Sequence, residues 1–258
     1  NDILELLLLR FLSFITSLPP FIIGYYTPII YDRTPSVQAI LHNILYDSPL
    51  YLHLIRKAAG HHVLNRHDQI YLESKGIRSI VKLPNPFDFK TFSSSYKRKA
   101  HSHMRFLWTG RLTEQKGVTD LLDIISAVNR TDYAGQIEWH IAGTGELELR
   151  VREYAKHTPN VIYHGYVPAD KIARLYADSD IFLSTAKWES LPYSFLEALS
   201  YNLPIVTYAI RGAKEIISSH QVGFLVSTTP EFIDTILSLI KKKKPIRIGK
   251  TADLKKKF

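Results

Sequence analysis

The chain has 258 residues, 45% of them hydrophobic, with a formal net charge of +9 and no cysteine. That composition supports one large or two small globular domains, excludes disulfides and cysteine-ligated zinc, and fits a reducing compartment. Residues 241–258 hold eight Lys, one Arg and one Asp, so the rest of the chain is close to neutral and lacks the broad basic face of a nucleic-acid binder. The basic tail reads as a solvated end, with a lipid-headgroup or polyanion contact as the alternative.

In chain order, Ile3 to Ile15 is strongly apolar, but Glu5 and Arg10 interrupt it and Pro19-Pro20 ends it. It is short for a membrane span and reads as a buried helix, with an interfacial one as the alternative. A strand is predicted at 21–26, a turn at 31–35, and helices at 37–46 and 50–59, the second stopped by Gly60. A strand at 62–64, a helix at 67–75 capped by Gly76 and a strand at 80–83 follow. Pro84-Asn85-Pro86-Phe87-Asp88 is a stiff turn, and the polar, serine-rich stretch to Ser102 is a candidate linker.

Beyond it the pattern becomes regular. Strands are predicted at 104–109, 137–142, 161–164, 181–184, 204–209 and 223–227, as short apolar runs rather than alternating ones. Helices are predicted near 117–129, 146–157, 169–177, 191–201, 212–219 and 230–242. Strand and helix alternating in this way imply an α/β fold with a doubly wound parallel sheet, whose ligand lies at the carboxyl ends of the strands.

Three strand-to-helix turns there carry the residue types that chemistry needs. Gly110-Arg111-Leu112-Thr113-Glu114-Gln115-Lys116-Gly117 places an arginine and a lysine at a strand's carboxyl end. The arginine offers a planar fork for phosphate oxygens, and the lysine a mobile point charge. Gly143 and Gly145, in Ala142-Gly143-Thr144-Gly145, let a backbone approach a ligand closely. Trp188-Glu189-Ser190-Leu191-Pro192-Tyr193 leads into a helix that also carries Glu197. Eight helical residues rise about 12 Å, too far for one general acid/base pair but suited to the two ends of a long ligand. Free N–H groups at the helix mouth favour anionic groups such as phosphates. Pro192 removes one of them, leaving Leu191 and Tyr193 as candidate donors. His61, His62 and His67 have no carboxylate cluster beside them, so no metal site is expected, and no G-x-S-x-G elbow supports a Ser/His/Asp hydrolase.

The spacing Glu189-x7-Glu197, with Gly110-Arg111-x4-Lys116-Gly117, resembles the signature of retaining GT-B glycosyltransferases, family 4 (glycosyl transferases group 1) in particular. The resemblance covers about residues 60–258, most strongly 104–227. It implies a GT-B type fold with a complete C-terminal Rossmann-like domain at 104–245 and a partial N-terminal, acceptor-side α/β domain at 1–92. A linker at 93–103 and a basic tail at 246–258 complete this division. By the same resemblance, Arg111 and Lys116 neutralise the diphosphate of a nucleotide-diphosphate sugar, UDP- or GDP-linked. Glu189 contacts the transferred hexose, Glu197 holds the ribose, and the Gly143–Gly145 loop faces the donor. Tyr166 and Val167 present backbone groups to the nucleobase. No cofactor beyond the donor substrate is implied, because the two cations take the place of a metal.

A family member of this kind moves a hexose to an acceptor hydroxyl with retention of configuration. The acceptor is expected to be a glycan or a lipid-linked one, and the location cytoplasmic or peripheral at the inner face of the membrane. Two departures stand out. Pro192 occupies a place where relatives often have glycine, and the opening strand and glycine loop that shape the acceptor site have no counterpart. The chain is therefore expected to be a fragment or a shortened member. That incompleteness supports a second reading, a nucleotide-sugar-binding module without turnover; a GT-B epimerase, which needs further acid/base residues, is a third.

Overall fold

A computed structural model describes residues 22–24, 44–45, 47–56, 58–84, 86–89, 101–217 and 222–242. The helix expected at 3–15, the turn at 31–35, nearly all of the helix at 37–46, most of the linker and the basic tail at 246–258 lie outside them. The chain divides into two compact units, Asn1–Asn85 and Pro86–Phe258. The division falls within the proline turn, ahead of the expected linker. Phe87 explains this: it packs edge-on against Phe89 and lies 6.3 Å from the Tyr193 ring, so 86–89 is held by the second unit.

In the first unit, strands β1 (Ile22–Gly24), β2 (Gly60–Val63) and β3 (Ile80–Lys82) pair in parallel in the order β1-β2-β3. Helix α1 (Pro49–Ile55) is capped by the Ser48 side chain, which accepts from Tyr51 N–H. Helix α2 (Arg66–Ser74) is capped by Asn65, which accepts from Asp68 N–H and donates to its carboxylate at 2.7 Å. Such reciprocal bonds satisfy donors that a helix start leaves open. Tyr51, Leu54, Ile55, Val63, Leu72 and Ile77 form the core between these elements.

The second unit alternates strand and helix throughout: β4 (Met104–Thr109), α3 (Val118–Asn129), β5 (Ile137–Ala142), α4 (Glu148–Lys156), β6 (Val161–Gly165), α5 (Ala169–Ala177), β7 (Ile181–Ser184), α6 (Tyr193–Ser200), β8 (Ile205–Tyr208), α7 (Arg211–Ile216), β9 (Gly223–Val226) and α8 (Thr229–Lys242). The strands form a parallel sheet in the order β6-β5-β4-β7-β8-β9. This is the doubly wound dinucleotide-fold order, in which the direction of strand addition reverses beside the first strand. The inner strands β7 and β8 are buried at every position, as apolar runs covered on both faces must be.

One side of the sheet departs from the expected apolar runs. Strand β5 alternates, burying Ile137, Trp139 and Ile141 and turning Glu138 and His140 to the other face. The polar groups there satisfy one another: Arg105 Nε donates to Glu138 at 2.8 Å, and the His140 and His164 rings share a hydrogen bond of 2.9 Å. Burial holds His164 down at about 4 and lowers His140 as well, against the pull of its Glu138 bond. No helix among the described residues is long and apolar enough to cross a membrane.

The depressed histidines make the native state a poorer proton acceptor than the unfolded chain. Their contribution to stability is complete above pH 6.5 and is lost as pH falls from 6.5 through about 4. Urea midpoints at pH 7 and pH 5 should drop more in the wild type than in His164→Gln, which cannot take up that proton.

Candidate active site

The reversal of strand order lies between β4 and β7, so the loops that leave their carboxyl ends, 110–117 and 185–192, diverge around a crevice. Each carries part of the predicted constellation, and the two are joined at several points. Gly117 has φ +70°, and a Cβ built on it would stand 1.9 Å from the Thr185 carbonyl oxygen, so only glycine permits this approach. Thr185 Oγ1 donates to Lys116 O at 3.0 Å and accepts from Trp108 Nε1 at 3.2 Å. Lys187 N–H donates to Gln115 O at 2.9 Å, and its ammonium pairs with Glu114 at 3.0 Å.

Across this seam Lys116 Nζ forms an ion pair with Glu189 Oε1. The two side chains keep only 23% and 15% of their accessible surface, which shields the pair from solvent more than a surface bridge. Arg111 is exposed and bonds Gln115 Oε1 at 3.4 Å. The Glu189 carbonyl accepts from Gly212 N–H at 3.0 Å, which ties this loop to the start of α7.

The loops after β5 and β6 add a second layer. Leu112 N–H donates to Thr144 O at 2.8 Å, and Gly143 N–H to Gly165 O at 2.8 Å. A Cβ on Gly143 would stand 1.8 Å from Gly110 O, so Gly143 serves loop-to-loop contact as well as open space. The Tyr163 hydroxyl donates to Gly143 O at 2.9 Å, and burial, then the nearby Glu148, pushes its pKa up to about 12, which keeps that proton in place. Among the described residues no hydrogen bond links the Tyr166 or Val167 side chain to the cationic loop; Tyr166 is 74% exposed.

Helix α6 begins at Tyr193, two residues later than the spacing predicts, because Pro192 takes the cap position with an extended ψ of 117°. Glu189 therefore sits in the loop four residues ahead of the helix rather than at its mouth. No side chain caps this helix. Leu191 is buried, while Tyr193 is 45% exposed and its hydroxyl reaches Pro86 O at 3.4 Å. Glu197 is half-buried and accepts from Tyr176 Oη at 2.6 Å; burial raises its pKa and that bond opposes the rise. The sequence reading missed Tyr176, Thr185 and Gly212. Thr185 could have been found from its place in the Ser184-Thr185-Ala186-Lys187 turn; nothing local marks the other two.

The family profile of glycosyl transferases group 1 matches residues 103–242. The chain belongs to this family. Among the glycosyltransferases it is similar to is the amylovoran biosynthesis glycosyltransferase AmsD of Erwinia amylovora, 30% identical over 172 residues, which are 64% of this chain and 47% of the relative. The chain spans between 33% and 47% of the length of the first curated relatives it matches. In structure it is similar to Anabaena HepE, solved in complex with UDP, with a TM-score of 0.70 at 18% identity over 96% of this chain and 70% of that one. It is also similar to TarM of S. aureus, solved with UDP, fondaparinux and α-GlcNAc-glycerol, with a TM-score of 0.61 at 18% identity over 75% of this chain and 40% of that one. The fold is thus that of the GT-B glycosyltransferases.

The Gly117 contact gives a direct test of the seam. Gly117→Ala should cost at least about 2 kcal/mol, because the new methyl group meets backbone rather than a mobile side chain. Denaturant unfolding measures it. Gly135→Ala, where a Cβ would meet nothing within 4 Å, serves as the control and should change stability little.

Proposed function

We propose that the chain carries the donor-binding half of a retaining glycosyltransferase. It would move a hexose from a UDP- or GDP-linked sugar to an acceptor hydroxyl on a glycan or lipid-linked saccharide. The Lys116–Glu189 ion pair across the switch point supports this reading best. It sets a cation suited to a diphosphate against a carboxylate suited to sugar hydroxyls, where a doubly wound sheet binds its ligand. The relative named for amylovoran biosynthesis and the neighbours solved with UDP point the same way.

In this mechanism Arg111 and Lys116 stabilise the charge that develops on the leaving diphosphate. Fixed positive charges aimed at such a group act electrostatically, and here they need no metal. The backbone N–H groups at Leu191 and Tyr193 add donors, and Gly110, Gly143 and Gly145 let the backbone close on the donor. Glu189 positions the hexose, and Glu197 holds the ribose. Tyr166 and Val167 face the base. The acceptor oxygen attacks the face that the diphosphate leaves, so configuration is retained. The protein works in the cytoplasm, with a peripheral contact at the inner face of the membrane as the alternative.

The resting ion pair adds a condition: the incoming diphosphate must take Lys116 from Glu189, and only then is the carboxylate free for the sugar. Arg111→Ala and Lys116→Ala should each reduce release of nucleoside diphosphate from the donor by at least about a hundredfold, with thermal stability kept. Glu189→Gln should also lose transfer, yet bind UDP or GDP several-fold more tightly by calorimetry, because it removes the competing anion. Weaker nucleotide binding by Glu189→Gln would show that the carboxylate is no competitor, and full turnover in both cation variants would remove their roles.

A further inference from the structure

Tyr176 is a buried phenol that the proposed mechanism leaves unused. Its ring is fully enclosed at the end of α5, stacked on Tyr201 at 5.7 Å with 7° between planes and tilted against Phe182 at 5.8 Å. Packing on both sides fixes where the hydroxyl stands. That hydroxyl lies 2.6 Å from Glu197 Oε2 and 2.9 Å from Thr109 Oγ1. A phenol has one proton to give, and an ionised carboxylate can only accept. The Tyr176 proton therefore goes to Glu197, and Thr109 donates to the phenol oxygen. The outcome is a directed chain, Thr109 to Tyr176 to Glu197, from the last residue of β4 to the second glutamate of α6.

We infer that Tyr176, supported by Thr109, is a positioning residue that holds one carboxylate oxygen of Glu197 and aims the other at the vicinal hydroxyls of a nucleotide ribose. This rests on the reading in which Glu197 meets the ribose. Among the described residues Glu197 Oε1 has no hydrogen-bond partner, so one oxygen is anchored and the other open. Burial, and then the nearby carboxylate charge, raise the Tyr176 pKa well above that of an ordinary phenol, so it stays a donor at every working pH. The bond it gives opposes the upward pull of burial on Glu197 and so favours the ionised, accepting form.

The test compares UDP with 2′,3′-dideoxy-UDP on the full chain, or the guanosine pair if GDP binds more tightly. Tyr176→Phe keeps the ring and removes the donor. It should weaken UDP binding about tenfold, the size expected for a bond to a charged group, and leave the dideoxy probe within about twofold. The acid limb of the UDP affinity profile should move to higher pH. In a Glu197→Gln background, adding Tyr176→Phe should change nothing further. Equal weakening of both probes, or additive losses in the double variant, would overturn the inference while leaving Glu197 at the ribose. A Glu197→Gln protein that still separates the two probes as the wild type does would remove the ribose assignment and this inference together, as would failure of the wild type to bind either nucleotide. Should Tyr176→Phe not fold, Thr109→Val carries the same comparison, with a smaller loss confined to UDP.

Discussion

Backbone contact between Gly117 and Thr185 is the constraint on which the rest of the site depends. The loops after β4 and β7 leave neighbouring strands at the point where the sheet changes its direction of growth. Loops that start so close could splay apart, each satisfied by its own turn. Here a missing Cβ lets one lie against the other's carbonyl, and the bonds through Thr185 and Lys187 follow from that approach. A lysine from one loop and a glutamate from the other then meet across the seam.

Adjacent residues of β4 serve the two halves of this arrangement. Side chains alternate along a strand, so Trp108 and Thr109 point to opposite faces. Trp108 reaches Thr185 and, through it, the Lys116 carbonyl. Thr109 reaches Tyr176 and, through it, Glu197. The buried polar groups are paired within each line, which is the condition for keeping such groups inside a low-dielectric core. One central strand thus sets the register of the cationic loop on one side and of the distant carboxylate on the other.

Much of this second unit was legible in the amino-acid sequence. The spans of β4, β5, β7 and α5 coincide with their predicted ranges, because each is bounded by a turn and carries a regular hydrophobic period, alternating in the case of β5. Arg111, Lys116 and Glu189 could be placed at strand ends for the same reason. Strand order could not, since which strands become neighbours is a long-range outcome that local pattern does not encode. Tyr176 was hidden for a related reason: it reads as one more apolar residue of an amphipathic helix, and its partner lies 21 residues away. The polar face at Arg105, Glu138, His140 and His164 likewise emerges only once three strands are aligned. At Pro192 the predicted start at 191 is earlier than the extended ψ of Pro192 allows, and Leu191, as the residue before a proline, is itself disfavoured in the helical region.

The Lys116–Glu189 ion pair also bears on how an anion would reach this crevice. Lys116 is paired with Glu189, whereas Arg111 of the same loop is exposed and bonds the neutral Gln115 side chain. At physiological ionic strength such a charge is screened within about 8 Å. Encounter would then run near the unsteered rate for diffusion, and discrimination among anionic visitors would lie in how long each one stays.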